Sequence, residues 1–105
     1  MLTSGEGRYR VWLQKQELGD DLIYTLGGGE RPHVGGVVLK VPGQDVRTLS
    51  FSTHRDLDVL VPIAEAASLK YGCTVVAVGG IHIDDATKEE IGILVGNVRE
   101  LLKEL

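Results

Sequence analysis

Cysteine is almost missing from this chain: Cys73 is the single one in 105 residues, so no disulfide can close within it. Cys73 stands at the head of an apolar run, where a buried thiol behaving as a small hydrophobe is the simplest expectation. Basic residues are too few to serve a nucleic acid. Eleven Lys and Arg against fifteen Asp and Glu leave a net charge of −4, whereas a phosphate backbone needs clustered cations to displace its counterions. Long apolar runs are also lacking, and none approaches the roughly 20 residues that span a bilayer. The first ten residues carry Gly5, Glu6, Gly7 and Arg8 where a secretory signal would be apolar. A cytoplasmic location without membrane attachment is the expectation.

What is present is ordinary for a globular protein, with 43% hydrophobic and 25% charged residues. The length suits one domain over residues 1–105, and there is no linker, repeat or low-complexity segment. Tyr9, Val11 and Leu13 alternate with Arg10, Trp12 and Gln14, the period of a strand with one buried face. Gly19 and Asp20 make a two-residue turn, and Leu22, Tyr24 and Leu26 resume the alternation, so a hairpin is expected. Val34 to Val41 and Val46 to Phe51 read as two further strands, separated by Pro42, Gly43, Gln44 and Asp45. Leu57, Leu60, Ile63, Ala64, Ala67 and Tyr71 fall at helical spacing before a capping Gly72. Pro62 should mark the start of that helix or a bend in it.

Thr74 to Val78 is an apolar β-branched run, expected as a central strand buried on both faces. Thr87 and Glu90 spell a capping box, and Ile91, Leu94, Val95, Val98, Leu101, Leu102 and Leu105 trace one apolar stripe of a final helix. Gly92 and Gly96 lie four apart within it, where something is expected to pack closely, either this chain's own sheet or first helix, or another subunit. The order of elements implies an α+β fold, a mostly antiparallel sheet of about five strands with both helices on one face.

The segment Gly27 to Gly36 holds five glycines with Glu30, Arg31, Pro32 and His33, more than a plain hairpin connection needs. Glycines such as Gly28 and Gly29 let backbone N–H groups approach an anion, and Arg31 offers a forked donor to a phosphate. A strand follows instead of a helix, so this is not a dinucleotide fingerprint, and no Gly-Lys-Ser/Thr ending makes it a P-loop. Turn glycines in a simple connection are the competing explanation. All three histidines fall in expected loops: His33 after the glycines, His54 before the first helix, and His82 before the last, where Asp84 and Asp85 follow. They could line one polar site, but solvent and capping roles are common for loop histidines. With Asp84 they could also ligate a metal, although their spacing argues against it. No nucleophilic constellation is present.

Two blocks are distinctive together: Gly28-Gly29-Glu30-Arg31-Pro32-His33-Val34-Gly35, and Gly79-Gly80-Ile81-His82-Ile83-Asp84-Asp85-Ala86-Thr87. At this separation they resemble the prenylated-flavin chaperone family, whose type member is the small D subunit that accompanies gallate decarboxylase. The resemblance runs from about Trp12 to Leu102. It implies a homodimer with a fold like the proteasome assembly chaperones, which binds reduced prenylated FMN and assists its loading into an aromatic-acid decarboxylase. It implies no enzyme activity of the chain's own and no metal. Carried onto this sequence, it places Gly28, Gly29 and Arg31 near the flavin phosphate and His33, His54, His82 and Asp84 along the polar part of the site. Glu30-Arg31 stands where the family has an acidic or neutral residue and Lys, and Ser52-Thr53-His54 where it has Pro-Gly-His. A scaffolding protein of a decarboxylase complex without a ligand, and a small metal-binding enzyme, are the alternatives.

Overall fold

The computed structural model describes residues 1–51 and 55–105. Six strands form one sheet: β1 (Leu2–Ser4), β2 (Val11–Leu18), β3 (Asp21–Gly28), β4 (Gly36–Lys40), β5 (Arg47–Ser50) and β6 (Val75–Gly79). Two helices, α1 (Arg55–Tyr71) and α2 (Lys88–Leu102), complete the α+β architecture. The sheet order is β1-β2-β3-β6-β4-β5. Only β3 and β6 run parallel, and the other neighbours are antiparallel, so the sheet is mixed. The expected hairpin forms as β2–β3, with φ +61° at Gly19, as a tight turn of the II′ kind needs at its first central residue.

Both helices cover the same face. Val11 and Leu13 of β2, Leu22, Tyr24 and Leu26 of β3, Val38 of β4, and Val75 and Ala77 of β6 are buried beneath Leu60, Ile63, Ala64 and Ala67 of α1 and Leu94, Val98 and Leu101 of α2. Pairwise alternation fixes this register, since a slip of one residue would turn these side chains away from the helices. The capping box of Thr87 and Glu90 is formed. Gly72 ends α1 at φ +63° and donates its N–H to the Ser68 carbonyl at 2.8 Å.

Several expectations are corrected. The short strand β1 adds a sixth member at the edge, beside β2. α1 starts at Arg55 with Pro62 inside it, so that proline does not mark its start. β6 is central, but it is buried on one face only: Val76 and Val78 remain half-buried on the face without helices, so the sheet has an open side. Cys73 is partly buried, packed at the margin of the core. A Cβ on Gly92 or Gly96 would meet nothing within 4 Å among the described residues outside its own helix backbone, so neither the sheet nor α1 packs against them. Gly27 and Gly28 belong to β3 and Gly36 to β4, so the glycine segment is shorter as a loop than its sequence suggests. No helix among the described residues is long and apolar enough to cross a membrane.

Candidate functional site

β3 and β6, being parallel neighbours, end side by side; the chain leaving β3 goes on to β4, and the chain leaving β6 goes on to α2. The segment after β3 carries Arg31 and His33, and the segment after β6 carries His82, Asp84 and Asp85. An isolated parallel bridge joins Gly29 to His82, and the His82 carbonyl accepts the N–H groups of Glu30 at 2.8 Å and Arg31 at 3.2 Å. Gly29, at φ +72°, lies so close to the His82 carbonyl that a side chain would collide with it. Gly28, at φ +147°, is crowded in the same way by the backbone of Arg10 and Val11. These glycines therefore serve to knit two loops together. The N–H groups of Gly29, Glu30, Arg31 and Gly35 all donate to protein carbonyls, so they do not form an open backbone cradle for a phosphate.

Asp56, in the first turn of α1, is a feature the sequence did not mark. It is 7% exposed. Its Oδ1 accepts the Ile81 N–H at 3.2 Å, and its Oδ2 lies 3.4 Å from His33 Nε2. One buried carboxylate thus fastens both loops to the start of a helix, whose N-terminal dipole favours negative charge there. Gly35 and Gly80 leave it room: a Cβ on Gly35 would overlap the Asp56 carboxylate, and one on Gly80 would sit 3.0 Å from His33 Cε1. A first-turn acidic residue is normally solvated, so nothing in the sequence distinguished this one from a helix-start signal.

His33 and His82 meet edge to face, with ring centroids 5.9 Å apart. His82 Nε2 is 2.9 Å from Asp84 Oδ1, the oxygen that also takes the Arg31 guanidinium. The His82 hydrogen bond first, and the Arg31 charge after it, hold the Asp84 carboxyl below the usual carboxylate range. Because an ionised Asp84 only accepts, the His82 Nε2 carries a proton, which leaves Nδ1 to a ligand. Arg31 is accordingly committed to Asp84 rather than waiting free. His54 lies outside the described residues.

Beside the histidines is a cavity of about 460 Å³ between the first turns of the two helices. Val59 of α1, Ile83, and Ile91, Leu94 and Val95 of α2 give it apolar walls, while His33, Arg55, Asp56, His82 and Asp85 make a polar rim. The α2 residues were legible only as a core stripe. An apolar cavity of this size with a few polar groups on one side suits a small organic molecule with a polar edge. Among the described residues, no three His, Cys, Asp or Glu side chains converge to hold a metal ion.

A crystal structure of a chaperone complex for yeast 20S proteasome assembly superposes with a TM-score of 0.63 at 12% identity, covering 98% of this chain and 88% of that one. Such a likeness concerns the fold alone. The model of the prenylated flavin chaperone LpdD-like domain matches residues 5–105, and the chain belongs to that family. Protein LpdD of Lactiplantibacillus plantarum is 28% identical over 96 residues, spanning 85% of this chain and 69% of that protein.

Proposed function

We propose that this chain is a non-enzymatic carrier of reduced prenylated FMN that hands the cofactor to an aromatic-acid decarboxylase in the cytoplasm. The observation that carries the reading is the convergence of His33, His82 and the buried Asp56 on one rim of an apolar cavity, in a chain of the prenylated flavin chaperone LpdD-like family. The apolar walls suit the ring system, and the histidines with Asp84 suit its polar edge. Arg31 would meet the phosphate by exchanging Asp84 for it. Gly28 and Gly29 contribute by allowing the loops to approach, not through their own N–H groups. The flavin would be cargo here, with its chemistry supplied in the decarboxylase; this protein's part would be to bind it and shield it from water.

The second part of the reading is a homodimer. Ile23, Val37, Leu39, Val76 and Val78 share the sheet face that carries no helix, with Leu49 exposed beside them. A contiguous apolar sheet face of this kind is suited to burial against a second copy. Anaerobic titration with reduced prenylated FMN tests the carrier role. Binding at micromolar protein is expected, and His33→Ala should weaken it by about tenfold, the loss of one hydrogen bond to a polar ligand edge. Absence of binding, together with retention of a decarboxylase partner on a column without flavin, would leave the scaffolding role instead.

A further inference from the structure

A second cavity, of about 610 Å³, lies at the C-terminal end of α1, away from the histidines, which gather at the N-terminal end of that helix. Its volume is in the range of small-molecule sites, roughly 300–1,000 Å³. Leu2, Leu13 and Leu105 give it apolar surface, and Lys15, Tyr24 and Tyr71 give it polar groups. Tyr24 is 1% exposed, and its hydroxyl is buried without a hydrogen-bond partner among the described residues. Buried polar groups in folded proteins are nearly always paired, so an orphan hydroxyl at a cavity wall points to an acceptor that the chain itself does not supply.

Lys15 stands directly across the β2–β3 ladder from Tyr24, on the same face of the sheet. Its ammonium group lies 4.2 Å from the centre of the Tyr71 ring and has no carboxylate partner among the described residues. Lys70 flanks the same ring, but its ammonium group is given to the Leu105 carbonyl. The cavity therefore presents a cation that is held by Tyr71 alone, through its ring and its hydroxyl, beside one unused donor. Glu104 on its lining opposes a second negative charge on any occupant.

We propose that this cavity is a second ligand site, which takes a small organic monocarboxylate with an apolar body. Lys15 meets the carboxylate, the Tyr24 hydroxyl donates to it, and Leu2, Leu13 and Leu105 cover the body. The site shares no residue with the histidine cavity, so it stands whether or not that cavity holds a flavin.

Benzoate is a suitable probe, with benzyl alcohol as its uncharged counterpart, titrated into the full chain and followed by two-dimensional amide NMR. Benzoate should shift the amides of Lys15, Tyr24 and Tyr71 with a dissociation constant of millimolar order or tighter. Tyr24→Phe keeps the ring and removes only the unpartnered hydroxyl, so it should fold normally and bind benzoate about tenfold more weakly. Lys15→Gln should weaken benzoate similarly and leave benzyl alcohol unchanged. The proposal is overturned if about 10 mM benzoate moves none of these amides, if it moves only those near His33 and His82, or if both variants bind it as the parent does.

Discussion

Asp84 carries the shifted carboxyl of the histidine site. Its carboxyl is held low by the His82 hydrogen bond and then by Arg31, so the pairing is complete above the usual carboxylate range. It disappears as the pH falls through the lowered value of the folded state, because protonation removes the negative charge that both partners need. A carbon-13 NMR titration of the Asp84 carboxyl should therefore give a midpoint below the usual range. In His82→Ala the midpoint should move upward, since the larger cause is gone. An unchanged midpoint would mean that Arg31 alone sets it.

Glycines at the same site make a second residue-scale test. Gly35→Ala places a methyl group into the Asp56 carboxylate, and overpacking of this kind typically costs about 1–3 kcal/mol. The variant should melt lower, and the His33 ring signals should move, because the ring and the carboxylate share that space. The sequence singled out these glycines as unusual but misread their use. It suggested N–H groups turned to an anion, whereas Gly29 gives its own to the Arg10 carbonyl and Gly35 to the Gly79 carbonyl, and Glu30 and Arg31 give theirs to His82. The reason is topological: the partner carbonyls belong to Gly79, His82 and Arg10, which no local pattern places beside the loop.

At the scale of elements, α2 was the most legible, since its start signal and its apolar stripe are both local. Thr87 accepts the Glu90 N–H at 3.1 Å and Glu90 returns to the Thr87 N–H at 3.1 Å. Thr87→Ala should cost about 1 kcal/mol and lower the melting temperature by a few degrees, roughly 4–8 °C per kcal/mol for a domain of this size. The same helix holds an expectation answered only for this chain's own elements. Gly92 and Gly96 were expected to admit a close neighbour, yet a Cβ on either meets nothing among the described residues. Gly92→Ala should therefore raise the stability of the isolated chain by about 0.5–1 kcal/mol, read by chemical denaturation. A loss instead would reveal that another molecule packs on that helix face. The edge strand β1 left no pattern to read, because three residues are too few to show a period.

For the whole molecule, the mixed sheet was nearly visible in the order of elements, but the one parallel pairing was not. Inserting β6 between β3 and β4 is what brings the ends of β3 and β6 together and sets His33 beside His82. Alternation told which residues of β2 and β3 face the helices. It failed for β6, where an apolar run was taken as burial on both faces while half of it lies on the open side. If that side is the dimer contact proposed above, Val37→Lys should weaken self-association by tenfold or more in sedimentation analysis, because an unpaired ammonium group would be buried at the centre of an apolar patch. The monomer should keep its melting profile, since Val37 does not face the helices.

The open side also carries Trp12, whose indole lies against the backbone of Gly27, across the ladder. It is the chain's single tryptophan, and it is half-exposed rather than sealed in the core. Its fluorescence is thus a built-in gauge of that surface. Any event that covers the face should shift the emission to shorter wavelength, whereas filling the histidine cavity behind the helices should shift it far less. The two events can therefore be separated in one cuvette without attaching a dye.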